Sequence, residues 1–76
     1  MKKIEIKECH TEFGNFIKES RMRQNLSQSE VADQVGLSQS YLSYIEKGKR
    51  DVDLAVAMKI CEALNLDIRE FISLYI

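Results

Sequence analysis

Residues 27–50 read SQSEVADQVGLSQSYLSYIEKGKR, and this stretch decides the fold. Ser27 followed by Glu30 is a capping box, a pattern in which each side chain accepts a hydrogen bond from the other residue's backbone amide where a helix begins. Gly36 is placed to take the left-handed conformation that ends a helix tightly. Ser38 is then suited to cap the next helix. The stretch therefore predicts two short helices separated by a turn that contains a glycine.

Both of these helices have an apolar side suited to a core. The second helix of this pair, which is the third along the chain, is predicted over residues 38–46 and is closed by the glycine at position 48. The inward positions follow the spacing of one helix face, and they are Val31, Ala32, Val35, Leu42 and Ile45.

Similar signals divide the rest of the chain into three further helices. The first is predicted from about Thr11 to Gln24, with a stop at Asn25. Its apolar face contains Phe13, Phe16 and Ile17, with Ser20 one turn further along.

Asp53 is predicted to cap a fourth helix, which ends at Asn65 in a left-handed conformation. Asp67 with Glu70 repeats the capping-box pattern for a fifth helix that runs to the end of the chain. The apolar residues of the fourth helix are Leu54, Ala57, Met58, Cys61 and Leu64.

These elements predict an all-α fold, a compact five-helix bundle over residues 11–76. Residues 1–10 are predicted to form an N-terminal arm, because Ile4-Glu5-Ile6 alternates like a short strand. The chain of 76 residues is 45% hydrophobic and 30% charged and contains no proline, which is typical of one soluble globular domain. Its charged start and the lack of a run of about 20 apolar residues favour a cytoplasmic protein without a membrane segment.

Catalytic and metal sites are not predicted. Cys9 and Cys61 match no metal or redox spacing, so we expect two free thiols, with Cys61 in the core. The single histidine, His10, lies beside Cys9 and Glu8, and three near-adjacent residues make a poor tetrahedral site. We therefore expect a protein that is not an enzyme and that has neither cofactor nor metal.

Two features of the sequence bear on whether the protein binds nucleic acid. The net charge of −1 argues mildly against it, but residues 1–50 carry nine Lys and Arg against seven Asp and Glu. Two short helices joined by a glycine turn form a helix-turn-helix unit, whose second helix lies in the major groove of DNA. Polar residues on one face of that helix suit such a groove, although they are also typical of an ordinary solvated surface; they are Gln39, Ser40, Ser43 and Tyr44.

From Phe13 to Leu66 the sequence resembles the lambda repressor and Cro family, also called the xenobiotic response element family. The matching stretches are FGNFI at 13–17 with Arg21, LSQSEVA at 26–32, VGLS at 35–38, SYLSYIEKGKR at 40–50 and KICEAL at 59–64. The sequence departs from the family pattern at Ser20, where an apolar residue is usual, at Val52, often a proline, and at Asn65, often a glycine.

The resemblance implies sequence-specific binding of double-stranded DNA by a small transcriptional regulator, with residues 38–46 in the major groove. Gln28 matches a position that binds a DNA phosphate, and Gln39 and Ser40 match base-contacting positions. Ser43 and Tyr44 lie one turn further along and should reach base edges, a thymine methyl group or the sugar backbone.

Other positions match residues that hold the backbone or the fold. Tyr41 should cover the edge of the core and offer its hydroxyl to a phosphate. The resemblance implies that basic side chains and loop amides bind phosphates, and these are Lys47, Lys49 and Arg50. Arg21 and Glu46 match an ion pair that ties the first helix to the end of the third. The alternative is a protein-interaction module that keeps the helix-turn-helix fold without DNA binding, in line with the negative net charge.

The fifth helix predicts a homodimer on a palindromic operator, because one helix-turn-helix unit reads only a few base pairs. Its stripe of Ile68, Phe71, Ile72 and Tyr75 is suited to docking on the core. Leu74 and Ile76 flank that stripe and widen the apolar arc to about 200° at 100° per residue, so a second copy should bury the excess. The other interpretation is that these last residues are frayed.

Overall fold

The computed structural model describes residues 6–49 and 52–73. All regular elements in these ranges are helices, as predicted from the sequence. They are α1 (Ile6–Arg23), α2 (Gln28–Val35), α3 (Gln39–Glu46), α4 (Leu54–Ala63) and α5 (Ile68–Ser73).

Local capping bonds set where α2, α3 and α4 begin, as the sequence predicted. The Glu30 amide donates to Ser27 Oγ at 3.0 Å, and the Ser27 amide donates back to Glu30 Oε1 at 2.9 Å. Ser38 Oγ accepts from the amide of residue 41 at 3.1 Å, and an Asp53 carboxylate oxygen accepts from the amide of residue 56 at 2.9 Å. These bonds satisfy helix-start amides that would otherwise lack a partner.

Left-handed residues end the helices at the predicted positions. Gly36 has a φ of 74° after α2, and the two asparagines predicted as stops, Asn25 and Asn65, have φ values of 57° and 56°. A glycine or asparagine takes this conformation at low cost, which is why these residue types identify helix ends in a sequence. Asn65 thus fills the role for which the family pattern often has a glycine.

The structure differs from the prediction at two helix starts. Helix α1 already includes Ile6, the first described residue, rather than beginning near Thr11, so residues 6–10 are helical. Residues 1–5 of the predicted arm lie outside the described residues. Residues 6–10 contain no proline or glycine to stop the helix, and Cys9 packs partly buried against the core. At α5, the Asp67 carboxylate accepts from the Arg69 amide at 2.9 Å and binds the Arg69 guanidinium at 2.8 Å, rather than forming the predicted box with Glu70.

The core lies where α1, α3 and α4 meet. Ile17, Leu42, Ile45 and Ile60 have no exposed surface. An aromatic group of Phe13, Phe16 and Phe71 joins α1 to α5, and the Phe13 and Phe71 ring centroids lie 5.3 Å apart in an edge-on arrangement. Cys61 is buried as predicted, and burial raises the pKa of its thiol to about 11, helped by the nearby Asp67 charge.

Helix α1 crosses α3 at very short range, and this contact positions α3. A Cβ atom on Gly14 would lie 2.4 Å from the Ile45 carbonyl oxygen and 2.6 Å from that of Glu46. Such distances leave no room for any side chain, so the two backbones approach each other because position 14 is a glycine. The C-terminal end of α3 is therefore held directly against α1.

Ser20, a departure from the family pattern, is buried with a partner. Gln24 Nε2 donates to Ser20 Oγ at 3.2 Å and to the Leu64 carbonyl at 2.8 Å. The hydroxyl is therefore satisfied in the core, and Gln24 links the end of α1 to the end of α4.

Two apolar residues of α4 are not in the core. Ala57, Cys61 and Leu64 are buried, whereas Leu54 and Met58 are 64% and 52% exposed. None of the helices in the described part of the chain combines the length and the apolar character needed to cross a lipid bilayer.

Candidate nucleic-acid interface

The outer face of α3 has the polar residues that the sequence predicted. Gln39, Ser40 and Tyr44 are exposed and Ser43 is half-buried, while Leu42 and Ile45 on the opposite side are fully buried. The helix is thus anchored by its apolar side and presents hydroxyl, amide and phenol groups outward.

Side chains from α2 and α3 meet in one surface groove of about 350 Å³. Its walls are formed by six of the predicted site residues, namely Gln28, Gln39, Ser40, Ser43, Tyr44 and Lys47. The turn between the two helices brings residue 28 beside residue 39, although they are distant in sequence. The predicted phosphate position and the predicted base-contacting positions therefore share one surface.

Hydrogen bonds join the side chains at this surface. Gln28 Nε2 donates to Glu46 Oε1 at 3.0 Å, and Gln39 Nε2 donates to Gln28 Oε1 at 3.5 Å. Ser29 Oγ donates to Gln39 Oε1 at 3.0 Å. The two glutamines are thus held by neighbouring side chains and by each other.

Arg21 and Glu46 form the ion pair that the resemblance implied. Arg21 Nε lies 2.8 Å from Glu46 Oε2 and Nη2 lies 3.0 Å from Oε1, so the contact is bidentate. The hydrogen bond with Glu46 raises the pKa of Arg21 above its usual value. Arg21 Nη1 also donates to the Leu26 carbonyl at 2.8 Å. This bond ties the loop between α1 and α2 to the same ion pair.

The remaining predicted residues lie around this surface with different exposure. Tyr41 is half-buried against the core, as expected for a residue that covers its edge. Lys47 and Lys49 are exposed after α3, where the backbone turns at Gly48 with a φ of 71°. Arg50, predicted to bind phosphate, lies outside the described residues.

Two polar residues at this surface and beneath it were not predicted from the sequence. Ser29 binds Gln39 from the neighbouring helix, and Gln24 binds the end of α4. Neither of these two contacts has a local signal, because Gln39 is ten residues from Ser29 and Leu64 is 40 residues from Gln24. Within residues 6–49 and 52–73, no group of three or more His, Cys, Asp and Glu side chains is arranged to hold a metal ion.

Comparison with known proteins gives a consistent set of relatives. A family model described as Helix-turn-helix matches residues 17–71. Control protein C.MunI of Mycoplasma sp is 40% identical over 62 residues, which cover 80% of this chain and 84% of that protein. An uncharacterized HTH-type transcriptional regulator of Archaeoglobus fulgidus is 37% identical over 54 residues, or 71% of this chain and 76% of that protein.

The same relationship holds at the level of the fold. The crystal structure of the restriction-modification controller protein C.AhdI from Aeromonas hydrophila matches with a TM-score of 0.76 at 36% identity. The match covers 80% of this chain and 92% of that chain.

Proposed function

Because the chain belongs to the lambda repressor and Cro-like helix-turn-helix family, we infer that it is a transcriptional regulator that binds double-stranded DNA. One observation carries this function: α2 and α3 bring six polar and basic side chains into a single exposed groove on the outer side of α3. A helix with this face fits the major groove, which is about 12 Å wide. We place α3 in that groove.

The side chains divide into those that read bases and those that hold the backbone. Gln39 and Ser40 at the start of α3 contact bases, and Ser43 and Tyr44 contact base edges or the sugar one turn later. Gln28 binds a phosphate near the start of α2, where helix amides favour an anion. Lys47 and Lys49, with Arg50 beyond the described residues, bind further phosphates, and the Tyr41 hydroxyl contributes another.

A protein-interaction module with the same fold is the competing function. The comparisons favour regulation, since the relatives include a control protein and a transcriptional regulator. The two functions differ in one cheap measurement. A DNA-binding protein binds arbitrary duplex with an affinity that falls as salt rises, and an interaction module does not.

Enrichment of duplexes from a random pool by the purified protein tests the function directly. A regulator of this kind enriches one motif, and Gln39→Ala then weakens binding to that motif by about 1 to 3 kcal/mol and removes the preference at one base pair. An unenriched pool would contradict the function. If the Gln39→Ala variant binds the enriched motif with the same affinity and the same base preference as the wild type, the role of Gln39 is contradicted.

We also propose that the protein acts as a homodimer on a palindromic operator. Apolar side chains of α4 and α5 remain exposed, namely Leu54, Met58 and Ile72. In the docking stripe predicted for α5, Phe71 is buried and Ile68 is half-buried against the core, whereas Ile72 is 36% exposed. Leu74, Tyr75 and Ile76, on which the sequence argument relied, lie outside the described residues.

The cytoplasmic location expected from the sequence is compatible with a regulator that acts on DNA.

A further inference from the structure

We propose that Ser29 is a specificity-determining residue, because its hydroxyl restrains the Gln39 amide in the orientation that Gln28 selects. The proposal rests on the proposed function, in which Gln39 contacts a base. Ser29 acts through Gln39 and is therefore a positioning residue. The argument follows a chain of hydrogen bonds that starts at Glu46.

Glu46 determines which way the Gln28 amide faces. A carboxylate bound to an arginine only accepts hydrogen bonds, so the group that meets it must be a donor. Gln28 therefore presents Nε2 to Glu46 Oε1, at 3.0 Å. Its other branch, Oε1, faces Gln39 and accepts from Gln39 Nε2 at 3.5 Å. The orientation of one glutamine thus selects the orientation of the next.

Ser29 completes this arrangement from the other side of Gln39. A hydroxyl can donate or accept, but Gln39 turns its nitrogen to Gln28, which leaves its oxygen for Ser29. Ser29 Oγ donates to that oxygen at 3.0 Å, at the upper end of the usual range for an O–H···O bond, whereas the 3.5 Å between the two glutamines is longer than a usual N–H···O bond. Ser29 is therefore the stronger of the two restraints on Gln39.

The restrained Gln39 amide can form a defined set of further hydrogen bonds. Gln39 has two N–H groups and two oxygen lone pairs, and one of each is already used. One donor and one acceptor remain, which match the N7 acceptor and N6 donor that adenine presents in the major groove. Guanine presents two acceptors, N7 and O6, and the single remaining donor satisfies only one of them. The bond to Gln28 thus leaves the donor and acceptor that favour an A·T pair opposite Gln39, and the hydroxyl of Ser29 holds them in place.

The test compares Ser29→Ala, which loses the hydroxyl, with Ser29→Thr, which keeps it. The probe is the duplex that the wild-type protein enriches, together with duplexes carrying each other base pair at the position whose preference Gln39→Ala removes. We expect the wild type to prefer A·T there and Ser29→Ala to lose about three- to tenfold of that preference, the effect of one hydrogen bond. Ser29→Thr should restore it. Gln34→Ala, at another exposed position of α2, is the control and should leave the preference unchanged.

Ser29 is exposed, so the alanine variant should fold, and circular dichroism checks this. Salt dependence and affinity for random duplex should be the same in all variants, since a general loss of structure would change both. If the wild type prefers A·T and Ser29→Ala keeps that preference, the role of Ser29 is overturned. The same holds if the wild type prefers G·C at this position. Either result leaves the proposed function intact. A wild-type protein without preference at any base pair overturns the proposed function as well.

Discussion

Glu46 contacts both a residue that holds the fold together, Arg21, and a residue of the proposed interface, Gln28. Its side chain is only 3% exposed, and its oxygens accept from two Arg21 nitrogens and from Gln28. Burying a carboxylate is costly unless it is paired and fully hydrogen-bonded, and replacing such a pair with apolar residues is often neutral for stability. The pair therefore acts by orientation: it fixes the end of α3 relative to α1 and holds Gln28, a residue of the proposed interface.

Replacing Lys49 tests whether this residue binds a phosphate or contacts a base. It follows Gly48 beyond the end of α3, with its side chain exposed. Lys49→Ala should therefore weaken binding to the enriched motif and to random duplex by the same factor. The slope of log affinity against log salt should fall by roughly one, because one fewer counterion is released.

Titrations at several salt concentrations measure both quantities, and Lys59→Ala, an exposed lysine of α4, is the control that should change neither. A loss confined to the enriched motif would mean that Lys49 contacts a base.

At the scale of elements, the crossing of α1 over α3 depends on position 14. Gly14→Ala places a methyl group within 3 Å of two backbone oxygens, which cannot move without shifting α3. We expect a loss of about 1 to 3 kcal/mol in the free energy of unfolding, typical of overpacking. Urea unfolding followed by circular dichroism measures it.

The matched control is Asn15→Ala, the next residue of α1, which is exposed. Helix propensity alone would make both alanine variants as stable as the wild type or slightly more so. Equal stability of the Gly14 and Asn15 variants would therefore show that the two helices are not in close contact.

The capping box of α2 predicts a pH dependence of stability. Hydrogen bonds from the Ser27 backbone and side chain lower the pKa of Glu30 below its usual value. A carboxyl group whose pKa is lower in the folded state stabilises the fold above its unfolded pKa of about 4.3, and this contribution is lost as the pH falls through the folded value.

Glu30→Gln keeps a capping residue but removes the titration. The difference in urea midpoint between wild type and variant should therefore be largest near neutral pH and should shrink below about pH 4. Asp67, whose pKa is also lowered, is present in both proteins and cancels in the comparison. A difference that is the same at pH 7 and pH 3 would contradict the assigned role of Glu30.

The elements that could be predicted from sequence are those fixed by short-range bonds. Ser27, Ser38 and Asp53 each bind an amide three residues ahead, so the residue type and spacing identify the cap. The helical residues before Thr11 were missed because residues 1–5 include no Ser, Thr, Asp or Asn, the residue types that identify a helix start in a sequence. The bond of Ser29 to Gln39 and the bond of Gln24 to the Leu64 carbonyl were missed because these partners are distant in the chain, and polar side chains on a helix look alike until the fold brings them together.

At the scale of the whole molecule, charge is unevenly divided along the chain. Residues 1–50 carry a net charge of +2, whereas residues 51–76, which include α4 and α5, carry −3. Repulsion by phosphates keeps an acidic segment away from DNA. The overall charge of −1 is therefore compatible with a DNA-binding surface on α2 and α3, with α4 and α5 left for other contacts.

Three exposed apolar residues, Leu54, Met58 and Ile72, lie on that second part of the molecule. Leu54 and Met58 are four residues apart on α4 and so share a helix face. Leu54 and Ile72 line one apolar groove, Met58 lines another, and Ile68 lines both. This is the surface on which we propose that a second copy of the chain packs, and the proposed dimer would supply the second reading helix that a palindromic site requires.

Leu54→Glu tests this dimer, because it places a charge where the apolar contact would form. Sedimentation at micromolar concentration should show a dimer for the wild type and a shift toward monomer for the variant. Met22→Glu is the matched control: Met22 is 57% exposed but lies on α1, so that variant should remain a dimer. Deleting residues 74–76 should act like Leu54→Glu, and both changes should weaken palindromic duplexes far more than half-sites, since only the palindrome needs two linked subunits. A full-length protein that is strictly monomeric and binds a half-site as tightly as the palindrome would refute the dimer.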